Sequence, residues 1–429
     1  MSIFSSLVSL PLALPLILLG GGIFGVILLE LFSSKWANKL WFWIIFGFLG
    51  ATWWSVSLES LTQGRWLQMD LLAQFSIQLL LASGVLALIS GACESKEHGV
   101  FLLSLLFGWI LFTNAADFLL LFLGLQIVSV ALYVWCATCK RGSKDSPQQG
   151  EAAFKYLALG AIGAGCLLYG IALQYWAVGT TEIGRVLERA LTPDFGQKQI
   201  WMTGVLLIGV GVSLKGALFP FQFWAPDVYA GVSLPLVGLM VTGMKVAVFV
   251  FSLRFFGEIG QTYPSIGSSL VWLAIFTLIW AHLGALRQKN IQRFLAYSGM
   301  VHAAWLWIPV VSSRAGGRDW GLLFYLLVYV LANGVLVLFW ERAQKGCQRA
   351  PGAVFMVAFA FMTLAGLPPT PGFFAKFYLI QLAYESQWNY FWMVALLTAI
   401  LSTFYYMRWI FQLFRPDVPP CAIPIPYKN

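Results

Sequence analysis

The sequence predicts an all-α, polytopic membrane protein of about thirteen transmembrane helices, and three observations carry that prediction. The 429-residue chain is 60% hydrophobic and only 10% charged, with a mean hydropathy of +0.80. Apolar runs long enough to cross a bilayer follow one another along nearly its whole length. The polar stretches between them are short, the longest being 139–150 and 178–199, so no soluble domain is expected.

A span needs about 20 apolar residues. The candidates are 8–31, 38–58, 70–93, 97–115, 116–138, 150–177, 200–222, 232–256, 266–286, 291–311, 319–341, 352–384 and 388–414. The opening run lacks a basic leader and a cleavage pattern and reads as an uncleaved first span. Only Thr113, Asn114 and Asp117 divide the fourth candidate from the fifth, as a tight turn. The seventh is interrupted at Pro220 and Pro226, and the twelfth at Pro368, Pro369 and Pro371. The expected organisation is an N-terminal three-helix segment (1–96), a five-helix set (97–256), a second five-helix set (257–415) and a proline-rich, extended tail (416–429).

The net charge of +9 does not point to nucleic acid, because the basic residues sit in short loops and report topology instead. With thirteen spans, the loops after odd-numbered spans and the tail carry 15 basic residues, and the opposite loops carry 7. The N-terminus is therefore expected outside and the C-terminus on the cytoplasmic side, or its organellar equivalent. Two consecutive sets of five spans have opposite orientations, which is the logic of an inverted repeat. In each set the fourth helix is the proline-broken one.

Lys155, Lys215, Lys245 and Lys376 lie inside these apolar runs. Each lysine at a helix centre costs about 2.5 to 3.5 kcal/mol on insertion scales, so four of them imply a buried polar path able to carry protons. Lys215 precedes Pro220 by five residues and Lys376 follows Pro371 by five. A helix break in lipid survives only where protein or water satisfies the freed backbone, so both lysines are expected at hydrated cavities. The alternative is a structural lysine that bonds the carbonyls exposed at the break. Lys245 lies about ten residues from either end of its run, too deep to snorkel, with a buried ion pair to Asp227 as the alternative. Lys155 follows Glu151 by four residues, a spacing that stabilises a helix start whether or not it relays protons.

Of the three histidines, His98 is expected in a solvated loop, whereas His282 and His302 fall within spans nine and ten, where an imidazole can shuttle protons. No metal-ligand spacing joins them. Cys136 and Cys139 are the only close pair among six cysteines and read as small apolar helix residues. No dinucleotide or phosphate-loop motif is present, and no cysteine cluster could hold an iron–sulfur centre, so redox chemistry is expected in another chain.

Four segments together resemble one family: Glu151-Ala-Ala-Phe-Lys155-Tyr-Leu; Leu214-Lys-Gly-Ala-Leu-Phe-Pro220-Phe-Gln-Phe-Trp224-Ala-Pro226-Asp227-Val-Tyr229-Ala-Gly231; Gln288-Lys-Asn-Ile-Gln-Arg293-Phe-Leu-Ala-Tyr297-Ser298-Gly-Met-Val-His302-Ala; and Gly366-Leu-Pro-Pro369-Thr-Pro-Gly372-Phe-Phe-Ala-Lys376-Phe. The chain resembles the antiporter-like membrane subunits of respiratory complex I, above all the N-type subunit of NADH:quinone oxidoreductase, over roughly residues 70 to 414.

That resemblance implies two inverted five-helix repeats with broken seventh and twelfth helices. It also implies a proton relay through Lys155, Lys215, Lys245 and Lys376, with Lys376 nearest the exit, and a multi-pass place in an energy-transducing membrane (bacterial inner membrane or thylakoid or organellar equivalent). No cofactor is expected in this chain; flavin, iron–sulfur clusters and quinone are expected in partner subunits. Those partners are other antiporter-like and small membrane subunits, together with the lipid bilayer, and no nucleic acid.

Two departures from the family pattern stand out. Gln126 occupies the place of a fifth-helix glutamate that pairs with the seventh-helix lysine, and an amide can hydrogen-bond but holds no charge. Asp117, nine residues earlier, is about 13 Å away along a helix and cannot stand in for it. Relatives often have a fourteenth span, and this sequence stops after thirteen. The leading reading is a proton-translocating membrane-arm subunit, an enzyme only as part of its complex. The alternatives are a subunit of a multi-subunit cation/proton antiporter and a structural membrane-arm subunit that has lost pumping with Gln126.

Overall fold

The structure, a computed structural model, describes residues 10–31, 37–58, 62–93, 95–139, 147–190, 192, 196–312, 315–344, 350–386 and 388–414. The tail expected over 416–429, as well as Cys347 and Cys421, lies outside these residues. Sixteen helices are present among them. They are α1 (Leu10–Leu31), α2 (Ala37–Leu58), α3 (Leu71–Ile89), α4 (Lys96–Asn114), α5 (Phe118–Thr138), α6 (Pro147–Val178), α7 (Ile183–Ala190) and α8 (Lys198–Gly216), followed by α9 (Trp224–Gly231), α10 (Leu234–Thr262), α11 (Pro264–Arg287), α12 (Ile291–Val311), α13 (Ala315–Gln344), α14 (Pro351–Ala365), α15 (Pro371–Tyr384) and α16 (Asn389–Phe414). A two-residue antiparallel ribbon, β1 (Thr62–Gln63) with β2 (Gln68–Met69), links α2 to α3.

Among the described residues, ten helices are long and apolar enough to cross a membrane, against the thirteen spans expected. α1 and α2, of 22 residues each, coincide with the first two expected runs, and the long twelfth run is divided into α14 and α15, of 15 and 14 residues. Helix lengths in lipid are set by the need to satisfy every backbone group internally, and a proline cluster ends that ladder.

Burial orders the bundle. In α10 and α12, 94% of the most apolar stretch is buried, against 33% in α16 and 39% in α6. The two central helices are accordingly buried on nearly every side, while the outer ones turn large side chains such as Phe154, Trp176, Phe404 and Phe411 to the lipid. Without a hydrophobic drive between helices in lipid, close packing does the work. At the α4–α5 contact a Cβ on Gly108 would lie 2.8 Å from the Gly124 carbonyl, so only glycine lets these backbones meet.

The slight boundary at residue 117 is a true turn. Asp117 caps α5 by accepting from the Leu119 amide at 2.8 Å and takes the Thr181 hydroxyl at 2.5 Å, buried at 1% exposure. His98 corrects an expectation: it is not solvated in a loop. It lies in the first turn of α4, buried and stacked on Trp135 with ring centroids 5.7 Å apart, because the C-terminal end of α5 packs its aromatic surface against this turn. At one end of the bundle, Arg254 on α10 holds the start of α3 through Asp70 at 2.6 Å, and Arg318 reaches Glu258 at 3.6 Å.

Candidate functional site

The chemistry-bearing residues gather where the two breaks meet the central helices. The first break lies between α8 and α9. Lys215 sits in the last turn of α8, which stops at Ala217 in the left-handed region (φ 55°). Stopping the helix frees carbonyls that lipid cannot satisfy. The indole of Trp224 donates to the Leu214 carbonyl at 2.9 Å, and the Phe219 amide donates to the Thr277 hydroxyl at 3.0 Å.

Lys215 itself is 4% exposed and donates to Ser129 Oγ at 2.8 Å and Tyr133 Oη at 3.2 Å, both on α5. Its ammonium lies 5.4 Å from the Tyr133 ring centroid and 5.9 Å from that of Tyr156. Cation–π contact and two hydroxyl acceptors stabilise the charge without a carboxylate. Gln126 lies one turn before Ser129 on the same face and is half-buried, and the bonds from Lys215 go to the next two turns of α5. Ser129 and Tyr133 escaped sequence reasoning, although their spacing from Gln126, three and seven residues, marks one helix face.

The second break separates α14 from α15. Gly366 closes α14 at φ +80°, and a Cβ there would come within 2.7 Å of Lys376 Cδ. Glycine is thus required twice, by the backbone and by the lysine stem that passes over it. Lys376, 4% exposed, donates to the Ala365 carbonyl at 2.7 Å and to Ser402 Oγ at 3.1 Å, with the Trp305 ring centroid 5.4 Å away. So Lys376 does satisfy a carbonyl freed by its break, while Lys215 bonds only side chains.

Lys245 stands on α10 between the two breaks at 3% exposure. The ion pair with Asp227 weighed from sequence is not made, because Asp227 lies on the half-exposed rim of the bundle and bonds Lys155 at 3.1 Å and Arg293 at 3.0 Å. Among the described residues Lys245 donates no hydrogen bond, and its Nζ approaches the bare backbone of Gly299, where a Cβ would lie 3.6 Å from it and 3.4 Å from Tyr329 Oη.

One turn further along α12, His302 bonds Tyr325 Oη at 2.7 Å and Tyr406 Oη at 3.1 Å, and Tyr406 in turn meets Ser298 at 2.5 Å. Tyr406 follows Ser402, the Lys376 partner, by one turn of α16. Lys245, His302 and Lys376 are therefore brought together around hydroxyl groups that both donate and accept. Lys155 is not part of this buried set. Its side chain is 40% exposed, paired with Glu151 at 2.7 Å and with Asp227 at the start of α6.

Gln222, in the first break, is a further residue that sequence reasoning missed. It is 1% exposed, and neither side-chain polar atom has a protein partner. The cysteines fill other roles. Gln149 donates to the Cys136 carbonyl at 3.3 Å, capping α5, and burial pushes the Cys93 thiol, outside the spans, up to about 12. Among the described residues no three His, Cys, Asp or Glu side chains form a metal-sized group.

Known proteins resemble this chain in sequence and fold. The model of the NADH:quinone oxidoreductase/Mrp antiporter transmembrane family matches residues 115–402. The chain is 36% identical over 415 residues to an NADH-quinone oxidoreductase subunit N of Protochlamydia amoebophila, covering 91% of this chain and 85% of that one. It is 34% identical over 392 residues to the subunit N of Trichlorobacter lovleyi, with coverages of 86% and 79%. Among solved structures, a chain of respiratory complex I from Thermus thermophilus with bound aureothin superposes with a TM-score of 0.80 at 29% identity, over 95% of this chain and 91% of that one. A chain of the archaeal membrane-bound sulfane sulfur reductase shares the fold at a TM-score of 0.81 and 21% identity, over 96% of this chain and 89% of that one. The chain belongs to the NADH:quinone oxidoreductase/Mrp antiporter transmembrane family, as an antiporter-like membrane subunit of the subunit N kind.

Proposed function

We propose that this chain is a proton-translocating membrane-arm subunit of a complex I-type NADH:quinone oxidoreductase, moving H+ through a relay of Lys215, Lys245 and Lys376 with His302 between the last two. The observation that carries the reading is the burial of three lysines on three helices, none facing a carboxylate, with hydroxyl groups beside them and the His302 imidazole near Lys245 and Lys376. A charge so placed is expensive to hold, and a lysine without a counter-ion readily gives up and regains its proton. The kinship with NADH-quinone oxidoreductase N subunits supports the same reading.

Lys155 serves the rim, where its pairs with Glu151 and Asp227 steady the start of α6 beside the first break. The two sets of spans form inverted repeats over 97–256 and 257–415, the segment 1–96 is a separate addition, and the N-terminus lies outside. Loop charge supports that orientation. Flavin, iron–sulfur clusters and quinone belong to partner subunits, which include other antiporter-like chains. With Ser129 and Tyr133 holding Lys215, the amide at Gln126 does not by itself abolish pumping.

The test begins with purification from the native membrane in mild detergent and mass spectrometry of what accompanies the chain. Quinone-reductase subunits with flavin and iron–sulfur proteins are expected. Recovery with small cation-antiporter subunits alone would overturn the proposal.

A further inference from the structure

His282 stands outside the relay described above, and its surroundings set it apart from His302. It lies on α11, 3% exposed, on the side turned away from the lipid-facing Trp272, Phe276, Ile279 and Leu283. One ring nitrogen, Nδ1, is 2.7 Å from the Leu278 carbonyl, and the other, Nε2, is 3.0 Å from the Thr398 carbonyl on α16. His302 meets two hydroxyls, which donate or accept as the ring requires. Carbonyl oxygens only accept. A neutral imidazole carries one N–H and can satisfy one of them, leaving a lone pair against the other. Both bonds are complete only when the ring carries a second proton.

The place of His282 matters as much as its partners. Thr398 precedes Ser402 by one turn of α16, and Ser402 is the hydroxyl that receives the Lys376 ammonium at 3.1 Å. The titratable and charged groups facing His282 from the elements around it are Lys376 of α15, His302 of α12 and Tyr405 of α16, whose ring centroid is 5.7 Å away. No carboxylate is among them. Two neighbouring cations in a dry interior exclude each other, so the extra proton resides on one group of the pair at a time.

We propose that His282 is a further proton-carrying residue of this subunit, exchanging a proton with Lys376. The proposal rests on the lysine-relay reading. In the step, an N–H bond of the Lys376 ammonium breaks and an N–H bond forms on the imidazole; the positive charge moves and no electron changes hands. The protonated ring settles on both carbonyls. The neutral ring keeps one of these bonds and leaves a bare nitrogen able to take the next proton.

The experiment replaces His282 in the assembled complex by glutamine, whose amide still donates to one carbonyl but cannot take up a proton, and by asparagine as a smaller second variant. Protons moved per electron are read in proteoliposomes across pH, beside Lys376→Ala. The expected result is an assembled complex with a lowered proton-to-electron ratio and a pH profile that has lost one ionisation limb. A wild-type ratio and profile in an assembled His282→Gln complex, with Lys376→Ala deficient, overturns this inference alone. A wild-type ratio in Lys376→Ala overturns the relay reading beneath it. If neither His282 variant assembles, infrared difference spectra during turnover of a His302→Gln complex, which removes the other relay imidazole, decide: imidazole protonation bands support the proposal, and their absence overturns it.

Discussion

At the scale of the residue, each buried lysine is defined by what holds its charge. Lys215 has two hydroxyls and two aromatic faces, Lys376 has a broken-helix carbonyl and Ser402, and Lys245 has open backbone at Gly299. Removing the ammonium from Lys215 or Lys245 is expected to lower proton pumping and the electron transfer coupled to it while the complex still assembles, checked by native gels and proton uptake in vesicles. Normal pumping by both alanine variants would sink the relay. Lys155→Ala should have the smaller effect, since exposed pairs such as its bonds to Glu151 and Asp227 contribute about 0.2–1 kcal/mol each. Gly366 is hard to replace: alanine there combines a left-handed backbone, costing roughly 1 kcal/mol, with a clash against the Lys376 stem. Gly366→Ala is expected to lower the thermal midpoint of the complex and its pumping together, and an unshifted midpoint would contradict the account.

At the scale of the element, the broken helices are stable because other elements take over the freed backbone groups. Trp224 does this for α8, while its ring stacks on Tyr156 at 4.9 Å. Trp224→Phe keeps the stacking and deletes the N–H, leaving the Leu214 carbonyl unsatisfied in a dry interior at a cost of about 1–3 kcal/mol. The expected signature is faster local exchange of the amides around 214–219, measured by hydrogen–deuterium exchange, with the rest of the bundle unchanged. Uniform loosening of the whole chain would point instead to a packing defect. The turn at Asp117 follows the same rule: a boundary with slight apolar contrast persists because one carboxylate caps α5 and receives Thr181.

At the scale of the whole molecule, α10 and α12 form a nearly enclosed centre, and Lys245 and His302 stand on them. The proposed relay therefore passes between helices rather than running along one. Orientation is set by loop charge, since basic loops resist translocation. Single cysteines introduced at position 65 and at position 289, in a background without native cysteines, should react with a membrane-impermeant maleimide from the outer and the cytoplasmic side respectively. The reverse labelling pattern would invert the topology.

The sequence by itself determined the membrane class, the breaks at their prolines, the family and the three buried lysines Lys215, Lys245 and Lys376, because lipid penalises charge and unsatisfied backbone so heavily that each leaves a plain mark in one dimension. It did not determine which groups hold those lysines. Ser129, Tyr133, Ser402 and Tyr406 are ordinary helix residues until their helices pack, and Asp227 became the partner of Lys155 and Arg293 rather than of Lys245. His98 was misread for the same reason: its burial depends on Trp135, 37 residues away. Hydrogen bonds across a bundle join residues far apart in the chain, so periodicity and composition carry no trace of them, and only the tertiary structure decides which buried charge meets which hydroxyl.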